Sequence, residues 1–436
     1  MATHTMLRII TQLAEAQQEL ARIRSRNQDD QVVHKEATVR EIIQTVRRQG
    51  DSALLQYTAE YDCQNLPLDR LRVSGSDLDV AYQQVSPELL QAVEMAAAQI
   101  TAFHRLHLPK SWVHFAPDDV TLGRQYRPVD RAGLYIPRGR MGYPSTVLMN
   151  AIPAQVAGVQ QLIMVTPPNA DGSIPAAVLV AAQVAGVKEI YRVGGAQAIA
   201  ALAYGTETIP KVDLIAGPGN MYVTLAKQLV SGVVGIDAIA CSPELVIVAD
   251  EQARAGIVAA DLLAQAARDI LAAAILITND RDLAEQVQLI VAKQLADRSQ
   301  SLLTEKAIAH HCLIVVVEKI GQAVELTNQF APSQVMLWVE EPWELASSFR
   351  HAGTILLGGH TPTAVNNYIA GPNSTVPTSG TASFSSGLGV ENFMKYSTLI
   401  EYSSTSLSKL ERAINALAQA EGMLADIDAV ERRIED

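Results

Sequence analysis

The sequence predicts an α/β protein built on parallel sheets, and three observations carry that prediction. From about Pro128 onward, short β-branched runs alternate with Ala-rich stretches of helical spacing, as in GLYIP, STVLMNAIPAQVAGV, LIMVTPP and PAAVLVAAQVAGV. That alternation is the βαβ rhythm of a sheet with helices on its faces. It continues through EIYRVGG, AQAIAALAYG, VDLIAG, ELVIVAD, AAAILIT and CLIVVVE, which makes enough units for two doubly wound sheets. Finally, 436 residues that are 48% hydrophobic and 18% charged suit two to three domains with a large core, and exclude a disordered or fibrous chain.

Taken in order, the N-terminus reads as an amphipathic helix, because Glu15 and Glu19 interrupt its apolar residues. Residues 36–110 carry helical spacing with charged faces, so packed helices are expected there rather than a linker. The alternating units follow, and further strand-like runs, QVMLWVE and GTILLGG, close that region. LIMVTPP, LVIVAD and AILIT resemble one another, but buried strands do so for packing reasons and support a true repeat only weakly. The segment 371–390, dense in Gly, Pro, Ser and Thr, must be loop. Loops of that length inside compact proteins are functional or disordered. The last residues return to helical spacing with mixed charge and suit a tail docked on another surface.

A net charge of -12 without any basic cluster gives no support to nucleic-acid binding. No apolar run approaches the roughly 18 residues of a membrane span, and no secretory leader is legible. Cys63, Cys241 and Cys312 are scattered, which offers neither a disulfide framework nor a metal knuckle and fits a reducing cytoplasm. Fingerprints of dinucleotide folds, P-loops, zincins and serine hydrolases are absent. What remains are three turns at predicted strand ends that lead into helices: Ile136-Pro137-Arg138-Gly139, Gly194-Gly195-Ala196-Gln197 and Gly217-Pro218-Gly219-Asn220. Backbone N–H groups at such places converge on anions, yet composition fits tight structural turns equally well. Of nine histidines, His104 with His107, the adjacent His310 and His311, and His360 are the candidates for a metal; ordinary surface or helix-end roles fit them better.

GLYIPRGR, the long run from Val193 to Lys227, GIDAIACSPELVIVADE, AGTILLGG, AGPN and VPTSGTASFSSGLGVENFMK resemble the histidinol dehydrogenase family along nearly the whole chain. That resemblance implies two incomplete Rossmann-like domains, the second inserted in the first. It places a helical arm at 1–34, the first domain at 35–128 with 244–388, the second at 129–243, and a swapped C-terminal helical tail of a homodimer at 389–436. It also implies zinc-dependent oxidation of L-histidinol to L-histidine with NAD.

The chemistry-bearing positions of the family are largely replaced. Its zinc ligands correspond to Gln265, which is kept, and to Arg268, Asn367 and Asp426, which stand where the family has His, Asp and His. Its Glu-His acid/base pair is Ser333-Gln334, a further active-site His is Ser374, and a substrate-contacting Ser is Pro243. The positions resembling cofactor contacts, Tyr135, Gln197 and Asn220, are retained, as is Glu421 at a substrate-contacting place. Arg138 stands where the family has Gly and would either clash with a pyrophosphate or pair with it.

A guanidinium is permanently charged and cannot ligate. A dication ~4 Å away would be repelled by about 8 kcal/mol at an effective dielectric near ~20, comparable with much of a zinc site's binding energy. Gln334 has no usable pKa near neutrality, so the base is missing as well. Zinc is therefore not expected, whereas NAD remains compatible. Arg268 and Asp426 would instead meet across the dimer as a salt bridge, with a loosened, solvated pocket as the alternative.

Two readings follow. In one the chain is a catalytically silent, dimeric nucleotide-binding or regulatory member of the family, a pseudoenzyme that could form mixed dimers with an active paralogue. In the other it is an NAD-dependent dehydrogenase acting on L-histidinol, or on another small alcohol without zinc. The missing ligands and base favour the first.

Overall fold

The computed structural model describes residues 7–26, 31–62, 66–139, 141–238, 242–297 and 302–435. Two parallel sheets form its frame. The larger has six strands in the order Arg8–Ile10, Cys312–Val316, Ala273–Thr278, Glu244–Ala249, Gln334–Trp338 and Thr354–Leu357. The smaller has five, ordered Glu189–Arg192, Gln161–Thr166, Arg131–Tyr135, Leu214–Ala216 and Gly235–Ile236. The α/β class expected from the alternating runs is thus realised as two doubly covered sheets.

The strands read as continuous apolar runs because both faces are covered. Every residue of Glu244–Ala249 and Ala273–Thr278 is buried, and the two pair in parallel with Ile275 opposite Val246 and Ile277 opposite Val248. Alternate side chains feed separate cores. In the smaller sheet, Leu162 and Met164 pack on one face and Ile163 and Val165 on the other.

Packing divides the chain differently from the expected boundaries. The apolar stripe Val39, Ile42 and Val46 of the Gln31–Gln49 helix, and Val93, Ala96 and Ile100 of the Pro87–Leu106 helix, bury against opposite faces of the smaller sheet. Residues 35–106 therefore cover the sheet of 131–236, not that of 244–357. At the N-terminus the segment expected to be only helical contributes a strand, since Arg8–Ile10 pairs in parallel with Leu313–Val315. Its helix, Leu13–Arg24, then buries Ala16, Leu20 and Ile23 on the same sheet.

A three-stranded antiparallel sheet, ordered Met394–Glu401, Val120–Pro128 and Trp112–Ala116, was not legible in the sequence. Its two outer strands are mostly exposed and the central one is only half-buried, so no apolar alternation marks them. The C-terminal part thus begins with a strand before the helices Ser404–Glu421 and Leu424–Glu435. The 371–390 segment is loop apart from a short turn of 3-10 helix at Thr381–Ser383 and the start of another at Val390, yet Asn373, Thr375, Val376 and Thr378 are buried. Cys312 is a buried free thiol, while Cys63 and Cys241 lie outside the described residues.

Candidate functional site

The three strand-end turns of the smaller sheet come together at the carboxyl ends of its strands, where open parallel sheets bind ligands. Gly217 permits the convergence: its φ of +123° is a left-handed value, and a Cβ there would strike the Tyr135 carbonyl. The Gly217 turn is clamped from below. Lys227 Nζ donates to the Gly217 carbonyl at 3.0 Å and is ion-paired with Asp237, whose Oδ2 accepts from Gly217 N at 2.8 Å. Asn220 then caps the Met221–Val230 helix, its Oδ1 accepting from Val223 N at 3.1 Å.

Two adjoining cavities open at these turns, and both are bordered by Pro137, Arg138 and Asn220. The smaller, about 460 Å³, is lined by Tyr135, Gly195, Ala196, Gln197, Asp62 and Tyr222 among others. Tyr135 is buried and its hydroxyl accepts from Gly195 N at 3.2 Å, while burial raises its pKa. Gln197 is buried with Nε2 unpartnered. Arg138 is 3.5 Å from Asp62 and donates to the Pro168 carbonyl at 3.0 Å; burial nonetheless pushes the Asp62 carboxyl up. All three residues resembling cofactor contacts thus border this one cavity.

The larger cavity, about 510 Å³, lies between the two sheets and draws its walls from both. Gln265 comes from the Ala255–Ala266 helix, Arg268 from just beyond it, and Asn367 from the Thr363–Tyr368 helix. Ser333 and Gln334 come from the start of the Gln334–Trp338 strand, and Ser374 from the 371–390 loop. Ser333 is consumed structurally: its Oγ donates to the Glu244 carbonyl at 2.6 Å and accepts from Glu244 N at 3.0 Å. Gln334 Nε2 donates to Asn367 Oδ1 at 3.4 Å, which leaves Gln334 Oε1, Asn367 Nδ2 and Gln265 Nε2 buried without partners.

This donor set does not fit zinc. It offers neutral amides and a fixed cation, whereas zinc sites use thiolate, imidazole and carboxylate. The one carboxylate in the wall, Asp269, has its Oδ1 occupied by Ser242 Oγ at 3.1 Å and Leu271 N at 2.8 Å. No cluster of three His, Cys, Asp or Glu suitable for a metal occurs among the described residues.

Glu421 and Asp426 are exposed in the C-terminal helices and border neither cavity, so one chain does not bring them to the cleft. Among the described residues, no histidine lines either cavity. His104 is buried, with neither ring nitrogen partnered, and burial together with His107 depresses its pKa to about 4. Desolvation first, then Arg26 and Arg22, likewise hold His311 down at about 4. Sequence reasoning missed Asp62, Asp269 and the Lys227–Asp237 clamp. Only Lys227 left a signal, as a lone charge on the apolar helix face of Val223, Ala226 and Val230.

A family model described as histidinol dehydrogenase matches residues 24–434. The chain belongs to the histidinol dehydrogenase family. It is 60% identical over 430 residues to a protein of Trichormus variabilis named histidinol dehydrogenase 2, covering 99% of each. It is 59% identical to a histidinol dehydrogenase of Synechococcus sp., covering 98% of this chain and 99% of that one. Among solved structures, a histidinol dehydrogenase from Elizabethkingia anophelis superposes with a TM-score of 0.91 at 32% identity, covering 99% and 98% of the two chains. Membership in the histidinol dehydrogenase family, an oxidoreductase family, makes the two covered sheets and their shared cleft the expected frame. No helix among the described residues is long and apolar enough to cross a membrane.

Proposed function

We propose that the cleft binds a nicotinamide dinucleotide beside a small polar ligand and does not run a zinc-dependent oxidation. One observation carries this reading. Gln265, Arg268, Ser333, Gln334, Asn367 and Ser374 share one cavity, and together they supply a permanent cation but no group that titrates near neutrality. Tyr135, Gln197 and Asn220, which border the adjoining cavity, support dinucleotide binding there, and Gln197 offers a buried amide without a partner. A nicotinamide ring supplies hydride-accepting chemistry when a base takes the proton; without that base in the larger cavity, this chain's residues would hold and orient the dinucleotide without turning it over. A homodimer joined through the C-terminal helices, with mixed dimers alongside an active paralogue, and a cytoplasmic location complete the reading.

The second reading, NAD-dependent oxidation of L-histidinol to L-histidine, is favoured by a specific finding. Relatives 60% and 59% identical bear the name histidinol dehydrogenase, and the comparisons taken alone weigh toward it. Each hydride transfer in such an oxidation releases a proton that some group must take up. Among the residues lining the larger cavity, Asp269 is the only carboxylate.

Zinc content and NADH formation measured on the same purified protein, with L-histidinol, NAD and added zinc, separate the two. Absence of stoichiometric zinc and of NADH, with NAD still bound in equilibrium dialysis, is the expected result. Turnover with bound zinc would establish the second reading and assign the proton to a base other than Gln334, with Asp269 the carboxylate in the cavity wall.

A further inference from the structure

The larger cavity contains a cation that no side chain neutralises. Arg268 lines it, and its guanidinium makes no ion pair or hydrogen bond among the described residues. Among the described residues of the cavity wall, the other arginine, Arg138, is engaged by Asp62 and the Pro168 carbonyl, and the single acid, Asp269, is held by Ser242 and the Leu271 N–H. Arg268, exposed at the cavity's edge, is thus an unpaired positive charge among the described residues of a chain of net charge -12.

Among the surrounding buried amides two donors lack acceptors, while Gln334 Oε1 lacks a donor. Gln265 is 2% exposed and Asn367 6% exposed; both line the cavity, and Gln265 Nε2 and Asn367 Nδ2 have no partners. Buried amide donors of this kind are ordinarily satisfied, so they mark the place of an acceptor. Two helices also begin at the wall. The Pro144–Ala157 helix has no side-chain cap and contributes Ser145 and Thr146, and the Met221–Val230 helix contributes Met221. Helix N-termini present unpaired N–H groups and partial positive charge.

We infer that the larger cavity is an oxyanion seat. A carboxylate or phosphate group of a small ligand is held there by Arg268, with the Gln265 and Asn367 amides as further donors. The planar guanidinium matches either group in bidentate fashion. The same charge opposes a cationic amino alcohol such as L-histidinol. This inference rests on the reading that the cleft works without a metal, and it specifies the ligand class of that same site.

The test is isothermal titration of the intact protein with inorganic phosphate, with succinate and with L-histidinol, comparing wild type, Arg268→Gln, Arg268→Lys and Asn367→Leu. At least one anion is expected to bind wild type, to weaken by about tenfold or more in Arg268→Gln, and to weaken less in Arg268→Lys, which keeps the charge but loses the bidentate fork. Asn367→Leu, whose folding is checked by its thermal transition, should weaken the same anion. Phosphate binding without succinate identifies a phosphate ligand, and the converse a carboxylate. Equal anion affinity in wild type and Arg268→Gln, no anion binding to wild type, or tighter binding of L-histidinol than of either anion would overturn the inference. Zinc and NADH readouts on the same preparation report separately on the reading beneath it.

Discussion

Arg268 and Gln334 change what their cavity can do because each replaces a group of adjustable charge with one whose charge is fixed. A guanidinium stays positive and an amide stays neutral across the working pH range, so neither can exchange a proton with a ligand. Their types and places were legible in the sequence, and the structure adds that they share one wall with Gln265 and Asn367. A different residue carries the pH dependence. Asp261, buried on the Ala255–Ala266 helix without a partner among the described residues, has its carboxyl pushed up to about 6 by desolvation. Its folded pKa lies above the unfolded value, so ionising it opposes folding. The penalty is fully present above pH ~6 and is relieved as pH falls toward ~4. Asp261→Asn should therefore stabilise the protein at pH ~7 by about 1–2 kcal/mol, after allowance for partial solvent screening, and by almost nothing at pH ~4. Urea unfolding at the two pH values checks this.

Elements that carry an apolar stripe or a fully apolar run announced themselves, and exposed ones did not. Glu244–Ala249 and Ala273–Thr278 are buried throughout, so their sequence alone marks them as strands. Trp112–Ala116 and Met394–Glu401 face solvent along almost their whole length, and their pairing with Val120–Pro128 is a long-range choice that leaves no local pattern. The N-terminal segment is likewise tied by distant contacts. Arg26 pairs with Glu244 at 2.9 Å, both side chains nearly inaccessible, and also donates to the Leu271 carbonyl at 2.6 Å. Glu244 Oε1 accepts from Ser379 N at 3.0 Å, so one carboxylate joins the N-terminal helix, a central strand and the 371–390 loop. Arg26→Ala, which strands a buried charge, should cost about 3–5 kcal/mol. Adding Glu244→Gln should recover part of that loss. Chemical denaturation of the two variants gives the coupling directly.

At the scale of the whole molecule, the C-terminal helices are the least covered part. Ser404–Glu421 and Leu424–Glu435 pack on one another, leaving Leu410, Leu417, Met423 and Leu424 exposed, and Lys409 anchors them through Asp118 at 2.6 Å. Paired Leu417→Glu and Leu424→Glu changes should shift the protein toward monomer in sedimentation velocity if these helices join two copies. Asp426→Ala tests the rival arrangement, in which Arg268 meets Asp426 across that junction and is not free to hold an anion. A loss of up to about 1 kcal/mol in dimer affinity, reduced by salt, is expected of such a pair, and an unchanged dissociation constant removes it.

The sequence by itself determined that there are two parallel sheets, where their strand-end turns fall, and which ligand-type residues are absent, because these follow from local periodicity and residue chemistry. Tertiary structure decided which helices cover which sheet, which exposed strands pair, and that Arg268 shares with partnerless amides a cavity drawn from both sheets. Those outcomes depend on contacts between residues far apart in the chain, such as Arg26 with Glu244 and Gln334 with Asn367, and no local pattern encodes such pairings.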